Sequence, residues 1–262
     1  MKPDDPRHYR ALFISDVHLG TKSCQAERLL AFLRDHDADH IYLVGDIVDG
    51  WQLKNGWYWP QPHNDVLQKL LRHARKGARL VYIPGNHDEF LRGYFGIHFG
   101  GIEVVGDAVH VGADGRRYLV THGDRFDLVV KHARWLAPLG EHAYALSAVT
   151  NKTANWVRRR FGLSAWSLSK WAKHKVKNAV NYIGEFEHAL AAQARRLHFD
   201  GVICGHIHHP TIREIAGIRY VNCGDWIENC TMAAETTEGE LEILSWTPSA
   251  DATDMRQRAR AA

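Results

Sequence analysis

The sequence predicts a mixed α/β fold in which two β-sheets pack face to face, with helices outside them. Residues 10–83 alternate apolar strand, helix, strand, helix and strand, an order that is typical of a parallel α/β core. Beyond residue 100 the pattern changes to short strands separated by turn residues, which favours antiparallel pairing. Two packed sheets would accommodate both patterns.

The first pattern contains three predicted strands and two predicted helices. Leu29 and Leu33 share one face of the first helix, and Val66 and Leu70 share one face of the second. In chain order the predicted elements are strand 10–16, helix 27–34, strand 40–45, helix 66–76 and strand 80–83.

The second pattern contains seven short strands with turn residues between them. They are predicted at 102–105, 108–111, 118–121, 211–215, 218–221, 232–235 and 241–245. One further apolar strand, 202–205, leads to a pair of histidines. We expect the seven short strands to pair in an antiparallel manner.

A helical region separates the two groups of short strands. Residues 128–197 have no strand signal, and helical spacing from Leu168 to Leu190 predicts one long helix. No Asp or Glu occurs in residues 142–184, where basic side chains alternate with aromatic ones, among them Trp166 and Trp171. This basic, aromatic region could form a lid that admits the substrate. The alternative is a solvated basic face whose Trp side chains pack against the core. The predicted division is a core in two parts at 1–127 and 198–248, a basic, Trp-rich helical insertion at 128–197 and a disordered tail at 249–262.

Composition limits the class of protein. The 262 residues can form one large domain or two small ones, and 45% hydrophobic residues support a substantial core. A net charge of +3 does not indicate a nucleic-acid partner, whereas the 18 histidines favour a metal site. The N-terminus is polar and broken by proline, no apolar run approaches the ~18 residues of a membrane span, and the four cysteines form no CxxC pair. We therefore expect reduced thiols and a cytoplasmic location.

Five short polar motifs each follow directly after an apolar strand. They are Asp16-x-His18, Gly45-Asp46-x-x-Asp49, Gly85-Asn86-His87-Asp88, Thr121-His122-Gly123-Asp124 and Gly205-His206-x-His208. Taken singly, the first motif is weak, and the next three have ordinary explanations as a helix cap, a turn residue or a hydrogen-bonded core histidine. The fifth is the strongest single signal, because two imidazoles one residue apart at a strand end suit a metal. Taken together, they predict strand tips that meet at one rim around two metal ions, with Asp46 bridging them. The nitrogen and oxygen donors, without a thiolate, suit Mn, Fe or Zn better than Ca.

This series of motifs resembles that of the calcineurin-like metallophosphoesterases, namely D-x-H, G-D-x-x-D, G-N-H-D/E, a lone histidine and G-H-x-H. The resemblance covers residues 10–125 and 198–246. It implies a four-layer αββα double β-sandwich with two divalent metal ions at the strand ends, Mn being the expected ion and Fe or Zn the alternatives. It also implies one ion held by Asp16, His18, Asp46 and His208, and a second held by Asp46, Asn86, His122 and His206.

The same resemblance implies catalytic roles for His87 and Asp49. His87 would face the leaving-group oxygen as a general acid or charge stabiliser, and Asp49 would hold its ring in orientation. The two metal ions would clamp a phosphoryl group and activate a water for in-line attack. From the residues alone, the alternative for Asp49 is a solvated turn carboxylate.

The basic insertion makes the sequence similar to the UDP-2,3-diacylglucosamine pyrophosphatases of lipid A synthesis. That resemblance implies a nucleotide-sugar lipid as substrate, cations that suit its pyrophosphate, and peripheral contact with the inner membrane through Trp166 and Trp171. One residue departs from the pattern, because those pyrophosphatases carry G-N-R-D and this chain has His87 in place of the arginine. A phosphodiesterase or nuclease with another substrate, or a non-catalytic metal-binding scaffold, are the alternatives. No motif assigns the substrate-binding residues of the insertion.

Overall fold

A computed structural model describes residues 6–126 and 168–246, with side chains from residue 182 onward in the second range. The α-helices of these ranges are α1 (Ala26–Asp35), α2 (Gly50–Asn55), α3 (Gln61–Arg75) and α4 (Leu168–Arg196). Two short 3-10 helices span Glu89–Tyr94 and Asp124–Phe126. The strands are β1 (Arg7–Ile14), β2 (His36–Val44), β3 (Arg79–Ile83), β4 (His98–Phe99), β5 (Ile102–Val104), β6 (Ala108–Val111), β7 (Arg117–Val120), β8 (Gly201–Cys204), β9 (Thr211–Ile215), β10 (Ile218–Asn222), β11 (Thr231–Glu235) and β12 (Leu241–Ser245).

The first sheet has seven strands in the order β12-β11-β1-β2-β3-β5-β4. Its centre is the predicted parallel core, in which Leu12 of β1 lies opposite Ile41 of β2, and Ile41 lies opposite Leu80 of β3. The connections between these strands contain α1 and α3, as the alternation of strand and helix predicts. Because parallel strands end at the same edge of a sheet, the loops that follow β1, β2 and β3 emerge together.

The second sheet has five strands in the order β6-β7-β8-β10-β9. The predicted antiparallel pairing is confirmed for β6 with β7, β9 with β10 and β11 with β12. The prediction is incomplete for three strands, which each have a parallel neighbour as well: β5 runs antiparallel to β4 but parallel to β3, and β7 and β10 each run parallel to β8. The alternation of apolar and polar residues in a short strand is the same whether its neighbour runs parallel or antiparallel. The direction of pairing therefore depends on which strand becomes its neighbour in the fold.

Two apolar layers hold the sheets and helices together. Phe13, Tyr42 and Val81 of the first sheet pack with Tyr118 and Ile203 of the second sheet in the layer between them. The layer on the other face of the first sheet contains side chains of α1, α3 and the strands, including Leu12, Leu29, Leu33, Ile41, Val66, Leu70 and Leu80. Neighbouring strand residues point to opposite faces, so β1 supplies Leu12 to one layer and Phe13 to the other. The predicted sandwich of two sheets with outer helices is confirmed.

The four cysteines are free thiols, as the absence of CxxC pairing predicts. Cys204 lies in β8 and is fully buried, and burial raises the pKa of its thiol to about 12. A thiol with so high a pKa is neutral, so Cys204 is a packing group and not a nucleophile.

The chain divides into two compact units, Met1–Asp124 with Leu190–Ala262, and Arg125–Ala189. The long helix that the spacing predicts is confirmed as α4. Residues 127–167, which hold most of the predicted insertion, and the predicted tail at 249–262 lie outside the described residues, as do the side chains of Trp166 and Trp171. The insertion boundaries and the role of its Trp and basic side chains therefore stay predictions. Among the helices of the described ranges, none combines the length and the hydropathy that crossing a membrane requires.

Candidate metal centre

Nine predicted site residues lie in the loops that follow β1, β2, β3, β7 and β8. They are Asp16, His18, Asp46, Asp49, Asn86, His87, His122, His206 and His208. Three groups with ligand atoms within 4.8 Å of one another bring eight of them together: Asp16, His18 and His208; His18, Asp49 and His87; and Asp46, His122 and His206. Asp46 joins the groups, because its Oδ2 lies 4.0 Å from His18 Nε2 and 3.4 Å from His122 Nε2.

Five of these residues have a left-handed backbone conformation. The angle φ is 53° at Asp16 and His18, 54° at Asp46, 73° at His206 and 52° at His208. This conformation costs an L-residue roughly 1–2 kcal/mol, although Asp and His tolerate it better than most. It turns the chain out of the sheet, which is why β1 ends before the predicted residue 16. Backbone strain of this kind is concentrated at functional sites.

Four buried polar atoms of the site have no hydrogen-bond partner among the described residues. They are Asp16 Oδ1, His18 Nε2, Asn86 Oδ1 and His122 Nε2. A buried polar atom without a partner costs about 1–3 kcal/mol, so four of them in one place require an explanation. Two are imidazole nitrogens and two are oxygens, which are the atoms that coordinate divalent transition metals. The donor set therefore fits metal ions.

His122 is held with one ring nitrogen turned toward the carboxylates. Its Nδ1 donates to the carbonyl of Val44 at 2.9 Å, while Nε2 lies 3.4 Å from Asp46 Oδ2 as an ion pair without hydrogen-bond geometry. Burial lowers the pKa of His122, but the nearby carboxylates of Asp46, Asp16 and Asp124 together outweigh burial and raise that pKa to about 10. Burial alone would raise the pKa of Asp46, yet His122 brings it below its usual range. Without metal, the pair is ionised at neutral pH.

Metal binding to the metal-free protein should release at least one proton per chain near pH 7, because the rings of His122 and His208, whose pKa values are both raised, must be neutral before they can coordinate. Since the pKa of His122 is raised to about 10, metal affinity should increase as pH rises toward that value. Calorimetric titration of Mn²⁺ in two buffers of different ionisation enthalpy counts the protons. The variant His98→Gln, at an exposed position of β4, should release the same number. Binding without proton release would contradict this protonation state.

Asp49 connects two imidazoles. Its Oδ2 accepts hydrogen bonds from His18 Nδ1 at 3.0 Å and His87 Nδ1 at 2.9 Å, and its Oδ1 accepts from the backbone N–H of Gln52 at 2.8 Å. Burial raises the pKa of Asp49, but the hydrogen bonds from His18, His87 and Gln52 together outweigh burial and leave that pKa low, so the carboxylate is ionised. An ionised carboxylate only accepts, so both Nδ1 atoms carry a proton and each Nε2 faces away. Asp49 is 2% exposed, which excludes the solvated turn carboxylate.

His87 lies at the rim of the site with 24% of its side chain exposed. Its backbone N–H donates to Asp46 Oδ1 at 2.8 Å, and the indole of Trp51 lies 4.1 Å from its ring, tilted by 35°. Burial lowers the pKa of His87, but the hydrogen bond to Asp49 and the charges of Asp46 and Asp49 together outweigh burial and raise that pKa above the usual value. The ring is thus a partly exposed and fixed imidazole whose protonated form is favoured.

Asp16 organises the loop that follows β8. Its Oδ2 accepts from the backbone N–H of His206 at 2.9 Å, and its Oδ1 lies 3.1 Å from His208 Nε2 as an ion pair without hydrogen-bond geometry. Burial raises the pKa of Asp16, but His208 outweighs burial and lowers it. On the other side of the ring, Asp225 Oδ2 lies 4.0 Å from His208 Nδ1. His208 is therefore held between two carboxylates.

Gly85 is required because the site closes over it. A Cβ at this position would overlap Asp46 Oδ1 and lie 2.7 Å from His122 Nε2. The missing side chain lets the loop after β3 pass directly against two predicted ligands. This close approach also places the next residue, Asn86, at the site, where its Oδ1 is one of the buried atoms without a partner.

The sequence interpretation missed Asp88, which ties two site loops together. Asp88 is fully buried; its Oδ2 accepts from the N–H of Ile47 at 2.8 Å and the hydroxyl of Tyr82 at 2.6 Å. Its Oδ1 accepts from the N–H of Gly85 at 2.6 Å and that of Asp46 at 3.3 Å. Asp88 is the last residue of the third motif, and a carboxylate at the end of a turn often accepts hydrogen bonds from backbone amides. That position was the signal in the sequence. Asp88 thus holds the loops after β2 and β3 in register.

Asp225 was missed as well, although its signal was present. Like Asp46, it follows a strand and a glycine. It is fully buried and accepts backbone N–H bonds from residues 227–229. Because Asp225 belongs to none of the five motifs, the sequence did not indicate that it lies beside His208.

Replacing Asp88 with Ala should lower the free energy of unfolding by about 3 kcal/mol or more, because each buried donor left unsatisfied costs ~1–3 kcal/mol. Urea unfolding of the two proteins measures the difference. The control is Asp114→Ala, whose carboxylate is 44% exposed and pairs with Arg116. An exposed pair contributes about 0–1 kcal/mol. Equal losses in the two variants would contradict the bridging role of Asp88.

Two packed sheets with clustered Asp and His ligands at one rim define a class of metal-dependent hydrolases, and residues 9–210 match the family model of the calcineurin-like phosphoesterases. The match spans most of the chain, so the protein belongs to the calcineurin-like phosphoesterase family. It is a metal-dependent hydrolase of phosphoric esters, and the family implies divalent metal ions.

Relatives within this class align along nearly the whole chain. The UDP-2,3-diacylglucosamine hydrolase of Shewanella sp. (strain W3-18-1) is 24% identical over 254 residues, covering 92% of this chain and 100% of the relative. The UDP-2,3-diacylglucosamine hydrolase of Aeromonas hydrophila is 28% identical over 232 residues, covering 83% of this chain and 90% of the relative. Among solved structures, an archaeal phosphodiesterase aligns over 90% of this chain and 98% of its own, with a TM-score of 0.39 and 14% identity.

Proposed function

We propose that the protein is a two-metal hydrolase whose rim loops hold both ions. The first ion would be held by Asp16, His18, Asp46 and His208, and the second by Asp46, Asn86, His122 and His206. The observation that carries this assignment is the set of four buried atoms without partners, because each belongs to the proposed ligand set. Mn is the proposed ion, and Fe or Zn would accept the same donors. When bound, such ions supply Lewis-acid charge to a phosphoryl group and lower the pKa of water.

The chain's own residues would direct the proton to the leaving group. Asp49 accepts the Nδ1 proton of His87 at 2.9 Å and fixes the direction of the ring. Protonated His87 would give its Nε2 proton to the leaving-group oxygen and end as a neutral ring that still donates through Nδ1. Trp51 covers one face of the imidazole and restricts its rotation.

We propose a UDP-2,3-diacylglucosamine-like nucleotide-sugar lipid as the substrate. The support is that relatives named for this substrate align along nearly the whole chain. A lipid substrate also needs apolar contact, and the segment that follows the third motif exposes apolar side chains. These are Phe90, Tyr94, Phe95, Ile97 and Phe99, each at least 47% exposed. Exposed apolar groups of this kind mark interaction surfaces, and peripheral contact with the inner membrane is part of the proposal.

A second candidate is hydrolysis of a different phosphodiester, and His87 favours it. The pyrophosphatases that the sequence resembles have arginine at this position. An alkoxide leaving group needs a proton, which an imidazolium supplies and a guanidinium does not. A phosphate leaving group, as in pyrophosphate cleavage, needs none. His87 therefore suits ester cleavage at least as well as pyrophosphate cleavage.

Hydrolysis of both substrates by one preparation distinguishes the candidates. The Mn-loaded enzyme should convert UDP-2,3-diacylglucosamine and water into equal amounts of UMP and 2,3-diacylglucosamine 1-phosphate, followed by chromatography. Bis(p-nitrophenyl) phosphate reports phosphodiester cleavage in parallel. Cleavage of the diester without release of UMP would exclude the first candidate and support the second.

A further inference from the structure

A cavity of about 470 Å³ lies beside the first loop of the site, and the proposed chemistry does not use it. Its lining includes Thr21, Arg28, Tyr58 and His63. It adjoins the site because the N–H and hydroxyl of Thr21 both donate to the carbonyl of His18, at 3.1 and 2.9 Å. Its volume falls in the range of roughly 300–1,000 Å³ that is usual for small-molecule sites.

The cavity opens onto the N-terminal end of α1, where Gln25, Ala26 and Glu27 line it. The N-cap residue Gln25 makes no side-chain cap hydrogen bond at this end, and its Nε2 donates to the carbonyl of Ser23 at 3.3 Å. An uncapped helix N-terminus carries a partial positive charge that attracts anions. The helix end alone would not make a site, but two further groups face the same space.

Arg28 adds a full positive charge. It is half-buried, with its guanidinium 5.0 Å from the ring of Trp246 and its Nη1 3.5 Å from Cys230 Sγ. Among the described residues it forms no ion pair with a carboxylate. Glu27 also lines the cavity, but it is exposed and neighbouring residues of a helix point in different directions. Arg28 is therefore a cation whose charge is not neutralised by the described protein.

His63 supplies a buried donor. It is 3% exposed and lines the cavity, and its Nδ1 accepts from the N–H of Gly20 at 3.0 Å. Since Nδ1 is an acceptor, the proton lies on Nε2, which has no hydrogen-bond partner among the described residues. Burial lowers the pKa of His63 and keeps the ring neutral. An N–H in the cavity wall that no described residue uses can donate a hydrogen bond to a ligand.

Another part of the lining is largely apolar. It consists of Tyr58, Pro60 and Pro62. The Tyr58 ring meets His63 edge-on, with 5.9 Å between centroids and an angle of 81°, and is 38% exposed. Lys22 Nζ lies 5.9 Å from the centre of the same ring. An accessible aromatic face beside cationic groups is the kind of surface on which a heterocyclic base stacks.

We propose that this cavity binds a phosphate-bearing ligand of nucleotide size, with its phosphate at the N-terminus of α1 beside Arg28 and its base against Tyr58. Two sources share this chemistry. The ligand is either the nucleotide half of the proposed substrate or a free nucleotide that binds independently. Only the first source rests on the proposed function.

Cys24 lines the cavity and reports its occupancy directly, because the other three cysteines are buried. Burial raises the pKa of Cys24 to about 12, so alkylation is slow and easily timed by peptide mass spectrometry. In the Mn-loaded protein, UMP at ten times its dissociation constant should slow alkylation about tenfold. Failure of UMP to protect Cys24 would overturn the proposal.

Two variants and one control locate the ligand within the cavity. In Arg28→Gln, UMP at the same concentration should slow alkylation only about twofold, since losing a charge-assisted contact weakens binding about tenfold or more. The control Arg34→Gln removes the same charge from the exposed last turn of α1 and should protect as the wild type does. Tyr58→Leu should lose protection by UMP and keep protection by inorganic phosphate. Undiminished protection by UMP in both Arg28→Gln and Tyr58→Leu would contradict the assigned groups.

Kinetics then separate the two sources. If the nucleotide belongs to the substrate, Arg28→Gln raises KM for the UDP-sugar lipid and leaves KM for bis(p-nitrophenyl) phosphate unchanged. If it binds independently, both KM values stay unchanged while the loss of Cys24 protection still supports the site. The alkylation experiment measures binding and requires no hydrolysis of the substrate. Its result therefore tests the cavity even if the proposed substrate is wrong.

Discussion

Asp46→Asn should lower the hydrolysis of bis(p-nitrophenyl) phosphate by about 10³-fold or more, because the metal ions contribute several kcal/mol and each ~1.4 kcal/mol is a factor of ten. Asp46 Oδ2 lies between His18 Nε2 and His122 Nε2, at 4.0 and 3.4 Å, and so joins the two ligand groups. Asparagine keeps the shape of the side chain but removes the charge that both groups face. Metal content by mass spectrometry and the steady-state rate measure the effect together.

The matched control for Asp46 is Asp124→Asn. Asp124 also follows a site strand, but it pairs with Arg92 at 2.7 Å and belongs to none of the ligand groups. Its rate should stay within about tenfold of the wild type, since a partly exposed ion pair contributes little. An Asp46→Asn variant that keeps two metal ions and near-normal activity would exclude a bridging role.

His87→Gln should lower kcat by about 10²–10⁴-fold for a substrate with an alkoxide leaving group, because a general acid contributes that much. The metal content should not change, since His87 belongs to neither proposed ligand set. The loss should be much smaller for a p-nitrophenolate leaving group, which departs without a proton. An equal loss with both leaving groups would contradict proton donation.

The pH dependence of the wild-type rate shows whether the reaction needs the protonated or the neutral form of His87. The pKa of His87 is raised, because the Asp49 hydrogen bond and the charges of Asp46 and Asp49 together outweigh burial, so the ring keeps its proton to a pH above the usual 6.5. A reaction that needs the protonated ring slows as pH rises through that pKa. This alkaline decline should appear for the alkoxide substrate and vanish in His87→Gln, whereas His98→Gln, exposed on β4, should retain it.

Much of the site could be predicted because its chemistry lies in short, local patterns. Asp16 and His18 stand one residue apart after an apolar strand, as do His206 and His208, and these spacings are visible without a fold. Parallel strands bring their carboxyl ends to one edge, so five separate motifs predicted one rim. The positive φ at these residues was not predicted, because Asp and His occur in many other conformations.

The supporting residues could not be predicted in the same way. Asp88 acts through amides of residues 46–48 and 85, and Asp225 acts on His208, so their roles depend on distances between loops. The cavity beside α1 likewise forms between two segments that no motif connects. A carboxylate that accepts backbone amides has the same sequence signature as one that caps a turn.

The sequence by itself determined the order of strands and helices, the ligand types and the family resemblance, since each depends on residue type and near-neighbour spacing. Only the tertiary structure decided that β5 lies parallel to β3, that β8 lies parallel to its two neighbours, and that Asp49 accepts from His18 as well as His87. The physical reason is that strand direction and hydrogen-bond partners depend on where distant segments meet. Asp46 illustrates both points. Its position after β2 can be predicted from the sequence, whereas its position between His18 and His122 is known only from the folded chain.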